Sequence, residues 1–231
     1  MDYAPLFISL KTAMTATVIT FIFGIFAAWF MCRYDGKLKS LIDSVFLLPM
    51  VLPPTVVGFI LLIAIGRNSP VGKFLSLFDL NLIFTWPALV LAASVVAFPL
   101  MYKTSKAAFE QIDRDILDVA RTLGAGEFKI FIKLMIPNAL PGILAGAVLS
   151  FARALGEFGA TLMVGGSIPG RTLTVPVAIF FASESGNTKE ALIWVAVIFS
   201  ISLFIMTLIN NNEGKSMGNY DKRKELAEDE P

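Results

Sequence analysis

Few side chains in this 231-residue sequence could do chemistry. Histidine is absent and Cys32 is the single cysteine, so no Cys/His metal set and no intrachain disulfide can form. The commonest general base is missing as well. Cys32 itself reads as a small apolar residue at a helix end. The one phosphate-loop fragment, Gly214-Lys215-Ser216, has Ile209 where the upstream glycine belongs and follows no strand, so it is no nucleotide site. What remains is a pair, Arg153 and Glu157, one helical turn apart in an otherwise apolar stretch. A charge at the centre of a bilayer costs about 2.5–3.5 kcal/mol on insertion scales, so such groups face the protein interior and pair. Arg153 either guides an anion or forms a structural pair that neutralises itself on Glu157, and the sequence leaves both open. A second cluster is Pro49, Pro53 and Pro54, with Thr55 and Gly58 just after. Each internal proline removes a helix hydrogen bond and clashes with the preceding turn. The outcome is either an ordinary kink or a partly unwound segment that lines a path. No catalytic residue, resident metal or cofactor is expected, and nothing reads as an enzyme.

The elements that must position these residues are membrane helices. Hydrophobic residues make up 56% of the chain and charged residues 16%, where water-soluble domains carry about 25% charged residues. The apolar residues fall in long blocks, and about 20 of them are needed to span a bilayer. Five segments qualify: about 6–32, 41–65, 85–102, 140–164 and 191–209. The expected fold is therefore an all-α, multi-pass integral membrane protein with five transmembrane helices. The stretch 174–183 is too short to cross and reads as a re-entrant or interfacial helix. Asp2 precedes the first block, no basic n-region is present, and the block is too long for a signal h-region, so it reads as a retained helix. Basic residues divide 13 to 5 between the two sides that five crossings define. The richer side, with Arg33, Lys103, Lys106, Arg121 and Lys129 among its members, is cytoplasmic by the positive-inside rule. The N-terminus is then outside and the C-terminus inside. Residues 211–231 read as a disordered cytoplasmic tail. The net charge of +1 gives no reason to expect a nucleic-acid partner.

Within the spans, Gly142, Gly146, Ser150 and Ala154 form a small-residue ridge at four-residue spacing. It permits close helix approach, between two copies of the chain or within one. Thr12, Thr15, Thr17 and Thr20 can each satisfy a hydroxyl on a carbonyl of the preceding turn.

The loop between the third and fourth blocks, 103–138, is too long for a plain turn. Phe109, Ile112, Ile116, Val119, Ala120 and Leu123 recur at helical spacing and form one apolar stripe, with Glu110, Asp113, Arg114, Asp118 and Arg121 off it. Gly124 and Gly126 interrupt the pattern, and a second amphipathic run follows: Phe128, Phe131, Ile132, Met135 and Ile136. Pro137 and Pro141 bracket the start of the next span. The pattern predicts two short helices joined by a glycine turn. Their apolar face packs on the protein's own helices or enters a groove on another protein.

The order Asp118-Val119-Ala120, three residues, Gly124, nine residues, then Leu134-Met135-Ile136-Pro137 resembles the signature loop of type I ABC importer permeases. That family has Glu-Ala-Ala, three residues, Gly, nine residues, Ile-x-Leu-Pro. The departures (Asp for Glu, Val for the first Ala, Leu and Ile at the aliphatic positions) spare size or charge. The resemblance implies that the helix ending near Leu123 is the coupling helix, docked in a cleft of a separate ATPase subunit. ATP and Mg would then be bound by that partner. Two further stretches narrow the group. Phe151-Ala152-Arg153-Ala154-Leu155-Gly156-Glu157-Phe158-Gly159-Ala160-Thr161 with Ile168-Pro169-Gly170-Arg171-Thr172-Leu173-Thr174-Val175-Pro176, and the prolines of 48–58, resemble molybdate permeases, and sulfate permeases share much of this pattern.

Membership would imply a five-helix core over 1–210 in the cytoplasmic membrane, working as a homodimer. Its partners would be two ATPase copies and an extracytoplasmic oxyanion-binding protein. A stand-alone secondary transporter is the rival reading, but it needs coupling-ion groups in the membrane and often shows repeats. The spans offer little beyond Arg153 and Glu157, and no repeat is visible.

Overall fold

In hydrocarbon every backbone N–H and C=O must be paired within the protein, which confines such apolar runs to helices. The chain is helical through its elements in a computed structural model that describes residues 3–78, 81–204 and 207. Helix α1 (Ala4–Arg33) has Pro5 in its first turn, where a missing N–H costs nothing, and Arg33 in its last, where a cation meets the negative end of the helix dipole. Then come α2 (Lys39–Val51), α3 (Pro54–Ile65), the short α4 (Pro70–Ser76) and α5 (Trp86–Glu110). Helix α6 (Arg114–Thr122) precedes α7 (Glu127–Ile130), a π-helical turn (Phe131–Met135) and α8 (Ile136–Leu155). The last three form one rod, Glu127–Leu155, of 29 residues. Helices α9 (Gly159–Gly165), α10 (Val175–Glu184) and α11 (188–204) complete the described chain.

Helix α5 is the centre of the molecule, packed by α1, α2, α3, α8 and α9. Small residues allow the approach: Ala13 and Ala16 of α1, Ala93 and Ala97 of α5 and Ala154 of α8 share one core. A Cβ on Gly24 would lie 2.8 Å from Met101 Cγ. The small-residue ridge of α8 faces α5 within the same protomer, which decides between its two readings. A Cβ on Gly142 would meet Ala108 Cβ at 2.6 Å, and Ser150 Oγ donates to Ala97 O at 3.5 Å.

The threonines of α1 bond mostly to their own helix, Thr15 to Lys11 O at 2.8 Å and Thr17 to Ala13 O at 2.7 Å. Thr12 instead accepts the Trp86 indole N–H at 3.0 Å.

Several boundaries differ from those read in the sequence. The second block is no straight crossing, because α2 and α3 meet at a bend of 113°. Neither Pro53 nor Pro54 can donate a hydrogen bond, so the ladder stops there. The third block runs on to Glu110, which carries Phe109 into the core rather than onto an amphipathic loop helix. The fourth begins at Glu127 and stops at Leu155, so 140–164 is corrected to a rod, a break and a separate α9. The run from Phe128 to Ile136 therefore opens the rod and is no second short helix. Pro137 lies within the rod, and the 103–138 loop shrinks to 111–126.

Three helices (α1, α5 and the rod) are long and apolar enough to cross a membrane, or four if the bent α2–α3 pair is one span. These counts are of the described residues. The expected crossing 191–209 starts in α11, and its positions 205, 206, 208 and 209 lie outside the described residues. So do the tail 211–231 and the Gly214-Lys215-Ser216 fragment.

Candidate functional site

Two regions hold the residues singled out by sequence. The first is the hairpin of α6 and the start of the rod. Asp113 caps α6, its carboxylate accepting the Asp115 N–H at 2.9 Å. At the other end Gly124 adopts φ +80°, a left-handed conformation that suits glycine. The Gly124 N–H reaches Arg121 O at 2.9 Å and the Ala125 N–H reaches Ala120 O at 3.0 Å, which closes the helix on a Schellman motif.

The apolar stripe of α6 divides. Leu117 is buried and the half-buried Ala120 packs on the same core, with Met31, Tyr102, Phe109, Ile130 and Phe131. Ile116, Val119 and Leu123 point outward, Leu123 81% exposed, and Phe128 and Ile132 continue the uncovered face.

Charge ties this hairpin to α1. Arg121 pairs with Asp118 at 2.6 Å and with Glu127 at 2.8 Å, and Glu127 pairs with Arg33 at 3.5 Å. Hydrogen bonds to Glu127 and Asp118 push the Arg121 guanidinium above its ordinary range and keep it cationic. Arg33 also lies over the Trp29 ring at 5.0 Å, and Trp29 stacks on Phe131 at 4.7 Å. The π turn has a local cause. Pro137 cannot donate to the carbonyl four residues back and its ring clashes there. The Ile136 N–H bonds instead to Phe131 O, five residues back, so the helix widens by one residue.

The second region is where two helices break side by side. Gly159 opens α9 directly against the start of α3: a Cβ there would lie 3.1 Å from Thr55 N and 3.2 Å from Pro54 Cβ. One turn on, a Cβ on Gly58 would lie 2.7 Å from Ala160 Cα. The two backbones are thus in near contact, and the structure brings Pro53, Pro54 and Thr55 together with the Arg153–Glu157 pair through α9. Glu157 is 2% exposed and has both oxygens engaged. Oε1 accepts the Ala160 N–H at 2.8 Å, and Oε2 meets Arg153 Nη1 at 2.7 Å. Arg153 keeps about a third of its side chain open, 32%. The sequence spacing identifies the pair. It does not reveal that Glu157 also caps α9, because the break at Gly156 is hidden in an apolar run.

A third set was missed by sequence reasoning. Asp43 of α2 accepts a hydrogen bond from the Tyr102 hydroxyl and pairs with Lys106 at 2.9 Å. Phe46, one turn further, packs edge-on against Tyr102 at 5.2 Å. Helix α2 buries no residue fully, so these contacts with α5 are its main attachment. The signal was available: Asp43 is the one acid in the 41–65 block.

Residues 20–212 match the model of a family described as the binding-protein-dependent transport system inner membrane component. The chain belongs to that family. It is an ABC importer permease, a transport component of the membrane rather than a catalytic enzyme. The molybdenum transport system permease protein ModB of Escherichia coli (strain K12) is 42% identical over 210 residues, 88% of this chain and 91% of that protein. YvgM of Bacillus subtilis (strain 168), whose name assigns it provisionally to molybdenum transport, is 44% identical over 212 residues, 91% and 93% of the two chains. A cysT protein of Prototheca wickerhamii, named for sulfate transport, is 34% identical over 202 residues, 87% and 79% of the two chains. The permease fold is shared with a bacterial ABC transporter involved in alginate import. The TM-score is 0.68 at 14% identity, over 91% of this chain and 80% of that one.

Proposed function

We propose that this permease carries a tetrahedral oxyanion, molybdate, into the cytoplasm. It works as a homodimer with two copies of an ATPase subunit that bind ATP and Mg, fed by an extracytoplasmic binding protein. The N-terminus is outside and the C-terminus inside. The observation that carries the molybdate assignment is the identity above 40% to permeases named for molybdenum, over about nine-tenths of the chain. Sulfate is the second reading, favoured by the 34% relative, and tungstate shares the chemistry of molybdate.

Asp118, Val119, Ala120, Leu123, Gly124 and Pro137 form the coupling element in this reading. The uncovered face of Ile116, Val119 and Leu123 is what the ATPase cleft receives, as an amphipathic helix enters a groove. The Arg121–Glu127–Arg33 chain of ion pairs carries its displacement to α1 and the rod. Pro53, Pro54, Thr55, Arg153 and Glu157 form the path or gate in this reading, and the broken backbone of α3 is tolerated there because it packs on the start of α9.

The test is uptake of radiolabelled molybdate, tungstate and sulfate, each at limiting supply, by cells with and without this gene. Gene-dependent molybdate uptake supports the reading. Gene-dependent uptake of sulfate alone replaces it with the second.

A further inference from the structure

Arg67 stands one residue beyond the Gly66 cap of α3 and separates two cavities. The larger, of 850 Å³, is lined by Arg67, Asn68, Ser69, Asn81 and Phe84 among others. The smaller, of 300 Å³, shares Arg67 and Asn81. The first lies within the range of small-molecule sites, about 300–1,000 Å³, and has room for an anion with its hydration water.

The polar lining is rich in donors. A guanidinium has five N–H groups and no acceptor, and each asparagine amide has two donors. The Ser69 oxygen already accepts the Gly72 N–H at 2.8 Å, which leaves its own proton to give. Neither cavity has a carboxylate among its described lining residues. Among the described residues Arg67 has no ion-pair or hydrogen-bond partner, unlike Arg33, Arg121 and Arg153. A guanidinium beside amide donors, in a recess with apolar walls, selects a ligand that is all acceptor and negatively charged.

The floor of the large cavity is fixed to the candidate path. Phe84 takes φ 61°, a conformation uncommon for an aromatic residue, and its N–H donates to Val164 O at 2.9 Å in α9. The opposite end of α9 is the cap made by Glu157, with Arg153 beside it. Helix α3, of 12 residues and about 18 Å, packs along the 7-residue α9 for part of its length. Arg67 thus marks one end of the α3–α9 pair and Arg153 the other.

We infer that Arg67 is a receiving site for the transported oxyanion: a cation that a dianion meets after leaving the binding protein. This rests on the proposed importer with its N-terminus outside. The recess holds the anion weakly and raises its local concentration at the outer end of α3, with Arg153 at the opposite end of the α3–α9 pair.

The experiment uses vesicles with the permease, its ATPase and molybdate-loaded binding protein, and measures radiolabelled molybdate uptake per reconstituted protomer. Focused fields in charged clefts raise capture about 10–10³-fold. Arg67→Ala should therefore lower the uptake rate about tenfold or more. Arg67→Glu should lower it further, and Arg67→Lys should stay near wild type. ATP hydrolysis stimulated by loaded binding protein should persist in all three. Uptake by Arg67→Ala within about twofold of wild type would overturn the assignment, since that lies below the smallest steering gain. So would joint loss of uptake and stimulation, which would make Arg67 a docking contact for the binding protein. Wild-type vesicles that import neither molybdate nor sulfate would instead sink the importer reading on which this rests.

Discussion

Glu157 answers to two partners, and the two can be separated by substitution. Oε1 holds the first turn of α9 through Ala160, while Oε2 holds Arg153. Glu157→Gln keeps an acceptor for Ala160 and leaves Arg153 without a counter-charge. Glu157→Ala loses both. Removing one member of a buried pair costs about 3–5 kcal/mol, and the partial exposure of Arg153 puts the loss near the lower figure. Membrane yield and thermal stability should fall in the order wild type, Gln, Ala. Wild-type yield from Glu157→Ala would remove the pair as a structural element. Combining Arg153→Met with Glu157→Gln should restore yield, because no charge is left stranded. Restored uptake in that double variant makes the pair structural, and absent uptake makes Arg153 a contact for the anion. The four-residue spacing made the pair legible in the sequence. The capping role was not, since it depends on where α8 stops.

At the scale of the elements, the proposed coupling role of the hairpin hinges on how α6 ends. Nothing lies within 4 Å of a Cβ placed on Gly124, so a larger side chain there meets no clash. The cost is conformational instead, about 1–2 kcal/mol for an L-residue in the left-handed region, and asparagine bears it most easily. Gly124→Val should leave membrane insertion intact but raise the ATP hydrolysed per anion transported. Gly124→Asn should stay near wild type. Equal coupling ratios in wild type and Gly124→Val would count against α6 as the transmitting element. The turn and the helix before it were visible in sequence as a stripe broken by glycine. The sequence pattern starts α6 too early, because the 109–123 periodicity runs unbroken across two helices. Asp113, which caps α6, is in that pattern only a polar position. The two faces of α6 are not separable by periodicity: Leu117, which anchors α6, is not in the stripe, while Ile116 and Val119, which are, stay uncovered.

For the molecule as a whole, composition alone announced helices in a membrane, because hydrocarbon permits little else to a chain this apolar. It could not announce which blocks are continuous. The bend at Pro53 is held by Gly159 more than 100 residues later in the chain, and the arrest of α8 is held by a carboxylate whose acceptor role depends on α9. Such breaks are tertiary facts. The widened turn at Phe131–Met135 joins the hairpin to the membrane body, and it sets the compass bearing of one against the other. Replacing Pro137 by alanine restores the donor whose absence opens the turn and lets the rod rewind to a regular α-helix with every residue kept. Everything before it would swing about 100° around the rod axis and shift by about 1.5 Å. The lipid-embedded half would keep its neighbours, so Pro137→Ala should reach the membrane in normal amount. Its apolar face would then look away from the motor, and ATP-driven uptake should vanish. A rewound rod that still transports would mean that this bearing is of no consequence.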